Sequence, residues 1–572
     1  MKKKNNRTGV ITGATTAILG MALISLVSCS SGESTSSTVA PGGSAGLSGP
    51  LVFVNNTGNV NTPGSRTLST IALRGDSGNS VIGTLGPGVF GDLALGDMQF
   101  SLGEWTFVNV SGIRYATSMA QVGTQVATID PLTGATPIHE VNLTTGTRPV
   151  HIYHDPTDRE VMWSMNDGLP ASAMPTAPPG ATPGDDLINC NNAAHAGGAI
   201  EGGSVTILHN SHLGPGATPP TVERTVCVLA DGHKVTAFSQ PIIPAHPATP
   251  RLAFVSSSTA GEIAVIDNTP RPGLNPDWRL INRIDLCDQI KENALVAPLT
   301  PATCNSESGA ALTPFTPNNS NPHGIRFSQL TGMVYSIQEN YRTIVEIDPT
   351  TLAVTLVADL SGTNYTAFGI SPNGRFLLLR GSTTPVGTRL GVIDLAIAGN
   401  PRAISDLTIP ELDGASPGSF KFSPDGRRFF ILAGTASTTK RDHLFAFDST
   451  SLAANSPALT LLQDIGLIST ANGDHSFDVL VQPPTGAPSG TPAEARYLVV
   501  SNKADNSVSI INATDHLIKQ TVRVGINPGA VMVYYPGAAA GGHQATASLT
   551  GGSSSPVAEL PERLDDHGMT EQ

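Results

Sequence analysis

Residues 251–268 read RLAFVSSSTAGEIAVIDN, and the same pattern returns as MVYSIQENYRTIVEIDPTTL at 333–352, RFLLLRGSTTPVGTRLGVIDL at 375–395 and YLVVSNKADNSVSIINATDHL at 497–517. Each copy holds a short apolar strand, a turn and an alternating strand that ends in an Ile-Asp-like pair, the period-2 signature of sheet rather than helix. The turn before a copy also repeats, as Ser371-Pro372-Asn373-Gly374 and Ser423-Pro424-Asp425-Gly426. Proline fixes φ and glycine accepts a positive φ, so four such residues reverse the chain tightly. The pattern runs from about residue 50 to 535 and predicts four-stranded meanders, each too small to bury its own face.

The copies resemble the YVTN-type repeats of bacterial exported proteins. That resemblance implies an all-β fold, a single β-propeller of four-stranded blades covering residues 50–536. Innermost strands are expected near Met98, Ile152, Val235, Ile325, Phe368, Phe420, Phe477 and Val531, which makes eight blades; seven is the alternative if residues 90–130 form a decorated loop. The last inner strand has no outer partners after it, whereas the strands at Leu51 and Thr67 have no inner strand before them. Pairing the two ends closes one mixed blade and removes the exposed edges. Two Pro/Gly/Ala/Asn-rich insertions, 168–203 and 287–320, exceed the repeat and are expected to carry binding surfaces. Residues 29–49 read as a flexible tether and 537–572 as a disordered tail.

The amino terminus sets the compartment. Lys2, Lys3, Lys4 and Arg7 precede a mostly apolar or small-residue segment that ends at Leu26-Val27-Ser28-Cys29. This is the order of a signal peptide over residues 1–28. The tetrapeptide resembles a bacterial lipobox, which implies cleavage before Cys29 and acylation of that residue; Ser30 after it implies the outer membrane. Several acyl chains on one residue anchor stably, so membrane contact is expected through the Cys29 lipid alone. Removing the leader leaves 28 Lys+Arg against 45 Asp+Glu, a formal charge of −17, and excludes nucleic acid as a partner. Cys190, Cys227, Cys287 and Cys304 remain, an even count that in an exported chain predicts disulfides. Cys190–Cys227 and Cys287–Cys304 are the expected local pairs, although four cysteines permit three connectivities.

Eight of the fourteen histidines fall between His139 and His246. His151, His233, His323 and His475 each lie at or just before an innermost strand, where side chains approach the central channel, and converging imidazoles there suit copper or zinc. Against this, Asn321-Pro322-His323-Gly324 is also an ordinary turn into a blade, the other three histidines do not share its register, and hydrogen-bonded or surface imidazoles are the simpler expectation. Catalytic templates mostly fail. A G-x-S-x-G match at 42–46 lies in the tether, and Arg74-Gly75-Asp76 reads as a turn before it reads as an adhesion tripeptide. Asp130, Asp267, Asp348 and Asp394 close repeated strands and read as turn acceptors. Asp97, Asp474 and Asp478 are the carboxylates open to a lactonase-like comparison.

The expected function is a lipid-anchored, non-enzymatic scaffold of the cell envelope that binds an envelope protein or small ligand on its loop face, without a required cofactor. A copper- or zinc-binding redox or accessory protein and a lactonase-like hydrolase are the alternatives.

Overall fold

The computed structural model describes residues between 50 and 534; the longest segments outside that description are 112–123, 168–202, 210–220, 287–319 and 483–493, and for the strands between 94 and 142 only the backbone is described. The predicted leader, tether and tail, Cys29, Cys190, Cys287, Cys304, Asp130 and Asp474 all lie outside it.

Among the described residues, thirty-two strands make eight antiparallel four-stranded sheets. The innermost strands are Ala94–Phe100, Pro149–His154, Lys234–Ser239, Pro322–Phe327, Tyr365–Ile370, Ala415–Phe422, Phe477–Gln482 and Pro528–Tyr534. Each contains the residue around which the sequence placed it. Numbering blades by the outer strands in chain order, blade 1 begins at Leu51 and blade 8 ends at Arg523. Blade 1 is the mixed one: Leu51–Asn56 pairs with Thr67–Ala72 on one side and with Pro528–Tyr534 on the other, in register from Leu51 opposite Tyr534 to Val54 opposite Val531. The region 94–142 forms a complete sheet, so the blade count is eight.

Burial follows strand position within a blade. The second strand Leu51–Asn56 is buried throughout, and so is Val161–Asn166 of blade 3, whereas the fourth strand Val354–Asp359 of blade 5 is mostly exposed. Apolar side chains therefore collect between neighbouring sheets. Trp163, Ile207, Phe238, Val255 and Trp278 fill the space between blades 3 and 4, and Phe376, Leu378, Phe420, Phe429 and Phe447 fill that between 6 and 7. No blade buries its faces alone, so stability is shared round the ring.

Polar bonds tie the same interfaces. Asp155 is 1% exposed and accepts from Trp163 Nε1 (3.1 Å) and from Asn268 Nδ2 of blade 4 (2.6 Å), while Trp278 Nε1 donates to Asn268 Oδ1 (3.1 Å). Asp478 joins three inner strands: its Oδ1 accepts from Lys421 Nζ (3.1 Å) and its Oδ2 from the Val533 N–H (2.8 Å). Across the closing seam, Gln520 bonds both the Asn79 side chain and its backbone, and Asp76 accepts from Tyr497 and Asn512. Arg74-Gly75-Asp76 is thus a structural turn, its carboxylate committed to blade 8.

The repeated turns behave as their residues require. Gly374 and Gly426 have φ of +71° and +67°, and the preceding Ser371 and Ser423 hydroxyls accept from the Phe376 and Arg428 N–H groups (both 2.9 Å). Asp267, Asp348 and Asp394 each accept from the N–H two residues on, at 3.0, 2.7 and 2.9 Å. One recurring device went unread in the sequence. Asn56, Asn166 and Asn502 each end a second strand and give their side-chain amide to two hydroxyls of the third, Thr67 and Ser69, Ser204 and Thr206, and Ser507 and Ser509.

Asp155→Ala strips acceptors from two buried donors. At about 1–3 kcal/mol for each buried group left unsatisfied, urea denaturation should show a loss of several kcal/mol with an unchanged slope. A loss below about 0.5 kcal/mol, the ordinary scatter of surface substitutions, would remove this network from the account.

Candidate functional site

The start of each innermost strand lies beside the end of its own second strand: Pro149 opposite Asn166, Lys234 opposite Ser257 and Pro322 opposite Gln338. First residues of inner strands and the residues just past second strands therefore share one mouth of the channel. His151, His233 and His323 meet there, from consecutive blades 3, 4 and 5. His151 Nε2 is 2.6 Å from His233 Nε2, with ring centroids 4.4 Å apart and nearly perpendicular. The His233 and His323 centroids are 5.3 Å apart.

These three positions do not share a register, as the sequence indicated, and the backbone reconciles them. Pairing slips between Pro149 and His151 in blade 3 and between Pro322 and Gly324 in blade 5, while blade 4 pairs regularly and His233 precedes its strand. A bulge re-aims side chains locally: in blade 5 the unpaired residue is His323 itself, and in blade 3 it is Val150, next to His151, so both rings are offset relative to His233, set before its strand. The three rings are hydrogen-bonded or ion-paired, as the simpler expectation had it, and they are also brought together.

Carboxylates stand behind two of the rings. Glu339 Oε1 is 3.0 Å from His323 Nδ1, and its other oxygen accepts from Asn321 Nδ2 (3.3 Å). Asp167 Oδ2 is 3.6 Å from His233 Nδ1. Lys234, fully buried, holds the Asp167 segment by donating to the carbonyls of Asp167 (3.3 Å) and Gly232 (2.9 Å). Its side chain needs the space beside Gly203, where an added Cβ would lie 2.2 Å from Lys234 Cε. Burial, followed by the positive field of His151, pushes His233 below its ordinary 6.5 despite the nearby Asp167. Asp167 and Glu339 were not read from the sequence, yet a signal exists: both occupy the position just after the second strand, following Asn166 and Gln338.

His475 departs from the group. It lies at the entry to blade 8, where pairing begins regularly, and its ring is committed elsewhere: Nδ1 to the Ser501 carbonyl (2.5 Å) and Nε2 to Asp442 of blade 7 (2.8 Å). With an acceptor at each nitrogen and side chains 3% and 1% exposed, this pair bolts two blades together and leaves no nitrogen for coordination. Among the described residues, no group of three or more His, Cys, Asp or Glu already stands at metal-ligand spacing. Of the lactonase-type carboxylates, Asp478 is consumed by Lys421, Val479 and Val533, and the side chains of Asp97 and Asp474 lie outside the description. Cys227 is disulfide-bonded, its partner outside the described residues.

Both insertions leave from this same mouth. The first departs after Asp167 at the end of a second strand and returns at Gly203, before Ser204–His209; the second departs after Leu286, past the end of Leu280–Asp285, and returns at Ser320, just before Pro322–Phe327.

Eight closed meanders around one channel define an all-β propeller scaffold. Solved structures similar to it include the dihydro-heme d1 dehydrogenase NirN in complex with DHE, with 12% identity, 88% of this chain and 78% of that one covered and a TM-score of 0.48. Apo AztD from Citrobacter koseri follows at 12% identity, 85% and 98% coverage and a TM-score of 0.41, and a putative 6-phosphogluconolactonase from Bacteroides uniformis at 12%, 73% and 96%, and 0.40. No family model and no curated protein matches the chain. These likenesses concern architecture and carry no argument about activity.

His233 yields a pH prediction for metal-free protein. Because its folded value lies below 6.5, the unfolded chain takes up the proton first, so stability is intact above about pH 6.5 and declines as pH falls below it. Urea denaturation at pH 7.5 and 5.5 should show a smaller decline for His233→Gln than for the parent; an equal decline contradicts the buried neutral ring.

Proposed function

We propose that this chain is a lipid-anchored propeller of the bacterial cell envelope, a non-enzymatic scaffold that binds a protein partner on the rim bearing the two insertions. One observation carries the reading: both insertions leave and rejoin the blades on the mouth where the inner strands begin. Loops displayed together on a rigid ring are a common way to build a recognition surface, and a shared rim gives them one face and one partner. The YVTN-type repeat pattern, the export signal and Leu26-Val27-Ser28-Cys29 support placement outside the cytoplasm, with acylated Cys29 holding the body to the outer membrane through residues 29–49. Cys227 in a disulfide agrees with an oxidising compartment, and we assign the pairs Cys190–Cys227 and Cys287–Cys304, which would brace each insertion near its base. The formal charge of −17 after leader removal favours a partner with a neutral or basic contact surface.

Two measurements test this. Radiolabelled fatty acid should enter the protein in cells and be lost in Cys29→Ala, with the variant released to the soluble fraction; label retained in the variant refutes the anchor. Photo-crosslinking residues at the exposed turn positions Asn340 and Ala504 on the insertion-bearing rim should give a discrete envelope adduct, and probes at Asn373 and Asp425 on the opposite rim should not. Adducts from the opposite rim alone, or none from either, would remove the assigned face.

A further inference from the structure

We propose that His151, His233 and His323 form a three-imidazole site for a divalent transition-metal ion of the zinc or copper(II) class at the mouth of the channel. The inference does not depend on a protein partner docking there.

Four observations support it. Three consecutive blades each supply one imidazole to the same cluster, with a strand bulge at His323 and another beside His151. The His151 and His233 Nε2 atoms, 2.6 Å apart, share one hydrogen bond in the closed arrangement, so the two nitrogens already face each other. Zinc with bonds of about 2.0–2.1 Å at a tetrahedral angle would set two nitrogens ~3.3 Å apart, so closed and loaded arrangements differ by under about 1 Å, within reach of ring rotation. The carboxylates supply the outer contacts that metal-bound imidazoles usually have: Glu339 meets His323 Nδ1 at 3.0 Å and is itself held by Asn321, and Asp167 lies 3.6 Å from His233 Nδ1 on a segment fixed by buried Lys234. Such contacts orient a ring so that Nε2 is the coordinating nitrogen. Nitrogen donors select zinc or copper over calcium or magnesium, which take oxygen. Three imidazoles are neutral donors, and the two nearby carboxylates balance a divalent charge without leaving net charge in a partly buried site.

Three donors are also one fewer than a closed structural zinc site uses, so the fourth position is left for water or a small ligand from the channel side. The site is assembled by rotating rings apart and is not held preformed, which fits the absence of ready ligand spacing among the described residues.

Cobalt(II) tests this, because a four-coordinate nitrogen site gives it intense visible bands that exposed single histidines do not. The mature chain, purified without a histidine tag and stripped with chelator, should take up one equivalent of Co²⁺ with those bands, and one equivalent of Zn²⁺ should bleach them. His233→Gln and His323→Gln should abolish the spectrum while keeping a cooperative melt. Glu339→Gln, nearly isosteric, should weaken Co²⁺ binding by about 10–100-fold, the usual loss when an outer carboxylate is removed. His443→Gln, a partly exposed third-strand residue of blade 7 that pairs with Asp464, should leave binding unchanged. No four-coordinate spectrum at one equivalent, or a spectrum that survives in His233→Gln, overturns the proposal; neither result bears on the crosslinking of a protein partner.

Discussion

The antiparallel pairing of Leu51–Asn56 with Pro528–Tyr534 is the constraint on which the remainder depends. Eight sheets that bury apolar faces only against one another cannot leave an end uncovered, and the chain meets this by building one blade from both termini of the array. Val52 and Val54 pack with Val531, Val533, Val499 and Ile510, so the seam is a core interface like the others. Polar bonds from Asn79 and Asp76 to blade 8 then fix its register from the outside.

Closure has a chemical consequence. In a ring, the starts of all inner strands face one mouth, and side chains far apart in sequence arrive at the same place: His151, His233 and His323, backed by Asp167 and Glu339. At the other inner positions the same convergence is used for cohesion. Asp478 ties Lys421 to the Val533 backbone, and Asp442 with His475 clamps blades 7 and 8. The molecule thus spends some inward polar groups on holding blades together and gathers one imidazole cluster beside the bases of two long insertions.

Most of the fold was legible because a repeat multiplies weak local signals. A single apolar pentad says little, but eight at similar spacing, punctuated by Ser-Pro-Asn-Gly and Ser-Pro-Asp-Gly, locate every inner strand, and the unpartnered strands at the two ends imply the seam. The aspartates after Ile266, Ile347 and Ile393 were readable for the same reason, since their bonds reach only two residues along the chain. The site was legible only in part. That His151, His233 and His323 start inner strands could be seen, but their convergence needs bulges, which depend on pairing partners that lie elsewhere in the repeat. His475 carried the same sequence credentials and was separated from the trio by Asp442, a residue of the neighbouring blade. The amide bonds of Asn56, Asn166 and Asn502 to pairs of hydroxyls are not separable from turn chemistry in the sequence, because an Asn at a strand end also reads as a turn.

Hydrogen exchange at the seam tests the closed ring most directly. The account predicts that amides of residues 52–54 and 531–533 exchange together, in the slowest class of the protein, because neither strand can open without the other. Rapid exchange over 528–534 while 51–56 stays protected would contradict it, and with it the common mouth on which the imidazole cluster is built.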